Sequence, residues 1–356
     1  MEYPTKEQQI GRIASRFLPA SSFRSFTRIP TGHINQTYRV SVYAEGGVRN
    51  YLMQNLNTRV FANPEKVTQN IVRCADFLSK NCPDYPYDIL TPIPVAQNEE
   101  YLFYDEGLAW RMFDYIEDSR SIDQVTTTQE AAMIGEAFGV FLSFINRDDA
   151  SRYQITIPDF HNFTRRYQNF KEYLAGRPAV TGEKARYLIA EIDRYAPPFL
   201  ELERMNFPLR IVHHDTKANN VMLDVATGKP KCIIDLDTLM PGNIFSDFGD
   251  LIRTVLNPYE EDEFPENGNL VSNEIIKSLF DSFLEPLNQL LTNIEKEYLI
   301  RGGKKITLLQ VLRFLDDHLK GDPYYQVDYA GHNLDRALSQ MNLFLSMEAN
   351  ELFNTP

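Results

Sequence analysis

Positive charge is scarce in this chain: 36 lysines and arginines stand against 49 aspartates and glutamates, a formal net charge of −13. That balance excludes nucleic acid and anionic membrane surfaces as expected partners, since both select basic faces. Cysteine is scarcer still. Cys74, Cys82 and Cys232 are odd in number and lack metal-ligand spacing, which fits a reducing compartment, with Cys232 a small core residue in an apolar strand. No stretch reaches the length of a membrane span. The opening MEYPTKEQQIGRIASRF has no continuous apolar core of the kind a signal peptide requires. Internal repeats and low-complexity tracts are absent as well. The expectation is a soluble cytoplasmic protein, and 356 residues with 43% hydrophobic content suffice for two domains or lobes around a real core.

What is present divides into two halves. Residues 5–18 place Ile10, Ile13, Ala14 and Phe17 on one helical face. Strand patterns follow at Phe23–Ile29, at Gln36–Tyr43 with Tyr38, Val40 and Val42 alternating, and at Asn50–Asn57 after a Glu45-Gly46-Gly47 turn. Asn63 and Pro64 open a helix over 64–80. Two strands bracket the turn near Asn98-Glu99-Glu100, and another covers Ala109–Ile116. The polar run Glu117–Ser121 reads as a crossover. Beyond it Thr127–Ile145 is strongly helical, and helices are expected at Ser272–Leu291, Thr307–Leu319 and Leu334–Leu352. The reading is a strand-rich lobe at 1–116 and a helix-rich lobe at 117–356, with a ligand cleft between them. The acidic run Glu260–Glu263 reads as a solvated loop.

The chemistry-bearing segment is Ile211-Val212-His213-His214-Asp215-Thr216-Lys217-Ala218-Asn219-Asn220, followed by Ile233-Ile234-Asp235-Leu236-Asp237. His213, Asp215 and Asn220 fit H-x-D-x-x-x-x-N, the catalytic loop of protein kinases and their relatives. Between Asn220 and Asp235 lie Val221-Met222-Leu223, a turn at Ala226-Thr227-Gly228, and Lys231 to Ile234, a hairpin that returns both ends to one place. On this reading Asp215 meets the accepting hydroxyl, and Asn220 and Asp235 hold a metal ion against nucleotide phosphates. Phosphoryl transfer asks for this division, since positioning and charge neutralisation carry most of its rate. An acidic chain that binds anionic ATP also needs a divalent cation, and Mg2+ is expected.

Thr31-Gly32-His33-Ile34-Asn35-Gln36-Thr37-Tyr38 sits between the first two strands, where such a fold covers the phosphates. Gly32, Asn35 and Thr37 are the candidate nucleotide contacts there; a plain hairpin turn is the other reading. His33 points to the acceptor or caps the turn. Two strands on, a protein kinase carries a lysine that pairs the phosphates. Here Gln54 stands instead, an amide without charge, so Arg59 or Lys66 compensates or the metal carries more. The backbone at Asp114, Tyr115 and Ile116, in the inter-lobe connection, is expected to meet adenine.

These residues resemble the aminoglycoside phosphotransferase and choline kinase superfamily, and within it the N-acetylhexosamine 1-kinase family. The likeness is carried by His213 to Asn220, by Ile234-Asp235-Leu236-Asp237-Thr238-Leu239-Met240-Pro241-Gly242 and by Asp247-Phe248-Gly249-Asp250-Leu251-Ile252-Arg253. It extends to Ile157-Pro158-Asp159-Phe160-His161-Asn162, Gly321-Asp322-Pro323-Tyr324-Tyr325 and His332-Asn333-Leu334-Asp335-Arg336. The resemblance implies an α+β, protein-kinase-like two-lobe fold, a small antiparallel β lobe with a larger helical lobe. It implies ATP- and Mg2+-dependent phosphorylation of an anomeric hydroxyl on N-acetylglucosamine or N-acetylgalactosamine. By position, Asp215 is the base, Asn220 and Asp235 are metal ligands, and Asp250, Arg253, His33 and Arg336 line the sugar pocket. His213, Asp237 and Asp247 order the loops. The aromatic residue that often follows the arginine is Thr254 here, which alters the pocket's shape. Two alternatives stand beside this: a kinase of another small alcohol (an aminoglycoside, choline, homoserine or another sugar), and a non-catalytic nucleotide-binding module, which the loss of lysine at Gln54 would suit.

Overall fold

The computed structural model describes residues 5–30, 34–177, 180, 182–257, 263 and 272–353. The chain opens with α1 (Lys6–Phe17), capped reciprocally by Thr5 and Gln8. Its buried Ile10, Ile13, Ala14 and Phe17 pack on an antiparallel sheet built from β1 (Ser22–Ile29), β2 (Gln36–Ala44) and β3 (Gly47–Asn55). After α2 (Pro64–Asn81), the sheet is completed by β4 (Pro92–Ile93), β5 (Phe103–Asp105) and β6 (Leu108–Asp114), in the order β1-β2-β3-β6-β4 with β5 also on β6. Tyr38, Val40, Val42, Met53, Trp110 and Met112 fill its core. The register that matters for the site sets Thr37 opposite Gln54 and Gln54 opposite Arg111.

The Asn63 side chain caps α2, with Pro64 in its first turn, as the sequence implies. Its apolar face (Val67, Ile71, Cys74, Leu78) joins the large core that also holds Phe138, Phe141, Val221, Phe245 and Phe283. Asn70 strengthens that docking by donating to the carbonyls of Gln154 and Leu239 at 2.8 Å each.

The second lobe begins with β7 (Ser119–Arg120) and α3 (Thr128–Ile145), followed by α4 (Phe163–Ala175) and α5 (Glu183–Leu202). Short strands β8 (Arg210–Val212), β9 (Val221–Asp224), β10 (Pro230–Ile233) and β11 (Met240–Gly242) carry the loops that hold the candidate site residues, and α6 (Ile244–Val255), α7 (Asn273–Leu284), α8 (Asn293–Lys320) and α9 (His332–Ala349) complete it. The expected hairpin is present: β9 pairs β10 antiparallel, with Ile233 opposite Val221. Three helices were not anticipated from the sequence, α4, α5 and α6, and α8 is far longer than the expected Thr307–Leu319.

The length of α8 has a local cause. Gly302 and Gly303 interrupt the apolar pattern, yet they sit mid-helix because α6 lies directly upon them. A Cβ on Gly302 would come within 2.3 Å of the Phe245 ring, and one on Gly249 of α6 within 2.5 Å of Ile306. The backbones approach where side chains are missing, and the gain in packing offsets the helix-interior cost of glycine, about 1 kcal/mol. This contact fixes α6, the element that carries Asp247, Asp250 and Arg253. Of the acidic run Glu260–Glu263 only Glu263 is among the described residues. Among the described residues no helix is long and apolar enough to cross a membrane.

Candidate active site

β8 delivers the chain into a loop whose backbone is held from several sides. Asp247, fully buried on α6, accepts from the amides of His213 at 2.7 Å and His214 at 2.6 Å. Burial pushes its carboxyl up to about 7, against the pull of those two amides. The Thr216 hydroxyl returns a bond to the Asp247 carbonyl at 2.6 Å, and the Thr238 hydroxyl donates to the His213 carbonyl at 2.6 Å. His213 is buried against the edges of Phe138 and Phe141. Its Nε2 faces the Ile234 carbonyl at 2.9 Å and its Nδ1 receives the Asp215 amide at 3.3 Å. One ring nitrogen must donate and the other accept, so the imidazole is neutral; burial holds its pKa below the usual value. His214 (φ 66°) and Asp235 (φ 59°) occupy left-handed backbone, a conformation retained where the surroundings over-determine it.

The loop brings Asp215 and Asn220 together. Asn220 Nδ2 donates to the Asp215 carbonyl at 2.7 Å and approaches Asp215 Oδ2 at 3.3 Å. Lys217 Nζ lies 3.0 Å from Asp215 Oδ1, whose side chain is one quarter exposed. Burial alone would raise the Asp215 pKa, but Lys217 and His213 outweigh it and hold the carboxyl below its ordinary range. The hairpin then sets Asp235 close by, since the Ile234 amide donates to the Asn220 carbonyl at 2.9 Å. Desolvation first, then the charges of Asp237 and Asp215, raise the Asp235 carboxyl, although its side chain still reaches solvent. Three carboxylates, Asp237 buried, Asp215 half-buried and Asp235 exposed, thus crowd one region, a donor set that a divalent cation relieves. Among the described residues no three His, Cys, Asp or Glu side chains form a complete metal cluster. Mg2+ does not ask for one: it takes one or two carboxylates and keeps water and phosphate oxygens for the rest. Asp235 and Asn220 fit that demand.

On the nucleotide side, Asn35 donates to Asp237 at 2.6 Å and accepts from the Asn57 amide at 3.0 Å. Gln54 Nε2 donates to Thr37 Oγ1 at 3.2 Å, while its Oε1 accepts from Arg111 Nε at 3.0 Å and Nη2 at 2.7 Å. Arg111 Nη2 also forms a buried ion pair with Asp237. Sequence reading looked for a compensating cation at Arg59 or Lys66, and the structure sets another arginine against Gln54. Arg59 is exposed, and the cation at Gln54 is Arg111, brought there by cross-strand register. An arginine inside the apolar run Ala109-Trp110-Arg111-Met112-Phe113 was the available signal, because a buried charge demands a partner. The adenine expectation narrows too: the Asp114 amide is engaged by the Thr91 carbonyl at 3.1 Å, and the Ile116 carbonyl accepts from Ser119 at 2.6 Å. Gly32 and His33 lie outside the described residues.

On the acceptor side, Arg253 Nε and Nη2 reach Asp250 Oδ1 at 2.7 and 2.6 Å, one turn apart on α6. Asp250 Oδ2 is buried with no partner. The charge of Arg253 is felt at Asp215 and at His161. Sequence reading assigned His161 no role. It is half-buried, stacked on Phe160 at 4.5 Å and edge-on to His214 at 5.3 Å, with its Nδ1 buried and unpartnered. Arg313 lies 4.7 Å over the Phe160 ring. Arg336 is engaged by the Gln326 carbonyl at 2.9 Å and by Asn333 at 3.0 Å, which braces the segment before α9. A separate groove of about 710 Å³ lies along α2, lined by Glu65, Arg73, Tyr101 and Arg152 among others, and includes none of the residues above.

A small antiparallel sheet lobe and a helical lobe, with a carboxylate–amide–carboxylate cluster between β8, β9 and β11, define a class of phosphotransferases. The sequence pattern of the phosphotransferase enzyme family matches residues 25–268, and the chain belongs to that family. Solved structures share the fold over nearly their whole length. A microcompartment-associated aminopropanol kinase is 15% identical, with 95% of this chain and 97% of that one covered at a TM-score of 0.62. An aminoglycoside phosphotransferase from Alicyclobacillus acidocaldarius is 13% identical, covering 99% and 98% at 0.59. An ethanolamine kinase from Plasmodium vivax is 16% identical, covering 93% and 85% at 0.56.

Proposed function

We propose that the chain is a kinase that transfers the terminal phosphoryl group of ATP to the anomeric hydroxyl of an N-acetylhexosamine. The observation that carries the reaction class is the meeting of Asp215 with Asn220 and Asp235, held by Asp247 and the β9–β10 hairpin. A binding-only module has no need to keep a base beside both metal ligands. The sugar rests on the motif resemblance and on the acceptor side's chemistry. There, neutral His161, the unpartnered Asp250 Oδ2 and the Arg253 fork offer fixed acceptors and donors suited to hydroxyl and amide groups. Arg253, Arg313 and Lys305 all bear on His161, an environment that disfavours a cationic acceptor.

In the reaction the sugar oxygen attacks the terminal phosphorus, the bond to the bridging oxygen breaks, and ADP leaves. Asp215 orients the hydroxyl and takes its proton late, which suits a carboxyl held below its ordinary range and an acceptor more acidic than a simple alcohol. Asp235 and Asn220 would hold Mg2+, which would supply neutralisation of phosphate charge. Tyr115 and Ile116 backbone would meet adenine, and Asn35 and Thr37 would cover the phosphates together with Gly32; His33 and Arg336 are the weaker sugar contacts.

One observation favours a second reading. The same buried Asp250 oxygen would serve an ammonium group, as in a kinase of an amino alcohol or aminoglycoside. Measuring ADP release with ATP and Mg2+ over N-acetylhexosamines, unmodified hexoses, choline, amino alcohols and aminoglycosides separates the two. Turnover on the N-acetylhexosamines, with phosphorus coupled to the anomeric proton by NMR, is expected. Turnover only on amines, or phosphate at carbon six, would overturn the anomeric sugar assignment.

A further inference from the structure

In protein kinases a β-strand lysine paired with a helix glutamate places positive charge on the nucleotide phosphates. Neither partner is in its usual place here. Gln54 stands at the strand position. On α2, Glu65 bonds Tyr104 and Asp76 bonds Lys80, so neither acid turns toward Gln54. Both charges of such a pair nevertheless exist, relocated. Arg111 enters from the neighbouring strand β6, directly opposite Gln54, and Asp237 enters from the turn after Asp235.

We propose that Arg111 is the residue that binds the nucleotide phosphate oxygens, with Gln54 and Asp237 as its positioning residues. Its side chain is 2% exposed, and four of its contacts are accounted for: Nε and Nη2 to Gln54, Nη2 to Asp237, and the guanidinium over Phe113 at 5.0 Å. Nη1 is left buried without a partner. A lone clamp between the lobes would satisfy that nitrogen as well, since leaving a buried donor unmet is costly. The partners of Arg111 are in turn tied to the candidate nucleotide groups, because Asn35 shares Asp237 and Thr37 shares Gln54. A planar fork fixed on two sides is suited to phosphate, and it retains charge that the amide of Gln54 lacks. Gln54 is thus the residue that aims the cation.

The inference rests on the nucleotide side of the proposed function and not on the acceptor, so its test uses no sugar. Binding of ADP and of adenosine to the full chain is measured by calorimetry in EDTA. Arg111→Gln should weaken ADP by about 10- to 100-fold, the scale of a lost charged hydrogen bond, and leave adenosine within about twofold. Asp237→Asn loosens the ion pair that positions Arg111 and should weaken ADP by less than Arg111→Gln does, with adenosine again within about twofold. Should Arg111→Gln fail to fold with Asp237 unpaired, the double variant Arg111→Gln/Asp237→Asn compared with Asp237→Asn alone reads the same difference. An unchanged ratio of ADP to adenosine affinity in the folded variants would overturn the proposal. Absence of both ADP and adenosine binding in the unaltered protein would overturn it together with the nucleotide site itself.

Discussion

The arginine–carboxylate pairs Arg210–Glu295 and Arg111–Asp237 are finished differently. Arg210 on β8 meets Glu295 on α8 through Nε at 2.9 Å and Nη2 at 2.7 Å, and Nη2 also reaches the Leu290 carbonyl at 2.8 Å. Glu295 uses its remaining capacity on the Thr292 amide and hydroxyl, both at 2.8 Å, closing the cap of α8. Arg111 and Asp237, where the sheet lobe meets the helical lobe, form the pair with the more deeply buried arginine but leave Arg111 Nη1 without a partner. A buried pair that saturates its own hydrogen bonds braces a fold; one that keeps a donor unmet is prepared for something that arrives. The two pairs also lie on either end of the same catalytic loop, so they can be compared by variation.

The largest effect is expected in the cleft. Asp215→Asn should lower kcat by about 10²- to 10⁴-fold, the usual share of a general base, with ADP affinity nearly unchanged by calorimetry; a kcat within a few-fold of normal would remove Asp215 from the chemistry. Next comes the saturated pair. Glu295→Ala strands Arg210 and should cost about 3–5 kcal/mol in urea unfolding, while turnover per folded molecule stays near normal. Equal losses of turnover and stability would erase the distinction between the two pairs. Gly302→Ala is expected to cost about 1–3 kcal/mol by overpacking against Phe245, and to lower kcat as well, because α6 carries Asp247 and Asp250. The smallest effect is a pH dependence. His214 is held at about 4 and His161 well below its usual value, both by burial. The unfolded chain takes up these protons near the ordinary 6.5, so the two histidines cost stability as pH drops from about 6.5 toward 4. Asp247 and Asp235, raised by desolvation, bind protons in the native state over the same range and oppose that cost, so the histidine share is read as a difference: thermal melts of His161→Phe should lose less stability toward pH 4 than those of the unaltered protein.

The sequence made the catalytic loop legible because H-x-D-x-x-x-x-N and the following hairpin are local patterns, and local patterns need no tertiary knowledge. The α2 boundary was legible for the same reason, through Asn63 and Pro64. What remained hidden depended on neighbours. The helix α5 runs through Pro197 and Pro198, residues that read as helix breakers in isolation. The helix α8 runs through two glycines that make sense only beside Phe245 and Ile306. Arg111 was visible as a residue but not as a partner of Gln54, since which strand lies beside which is settled by the sheet order and not by either strand alone. His161 likewise gains its meaning from His214 and Phe160, brought together by folding.

Asp237 is held from the sheet lobe by two hands, the amide of Asn35 and the guanidinium of Arg111, although it belongs to the helical side of the cleft. Any hinge motion that parts the lobes must release both grips at once. Separation therefore strips the cation of its counter-charge at the moment the entrance widens, and an incoming anion finds its greatest attraction in the open molecule. Reclosure restores the carboxylate that fixes the guanidinium, so a nucleotide met by a loose cation in the open molecule would be held by an aimed one in the closed molecule.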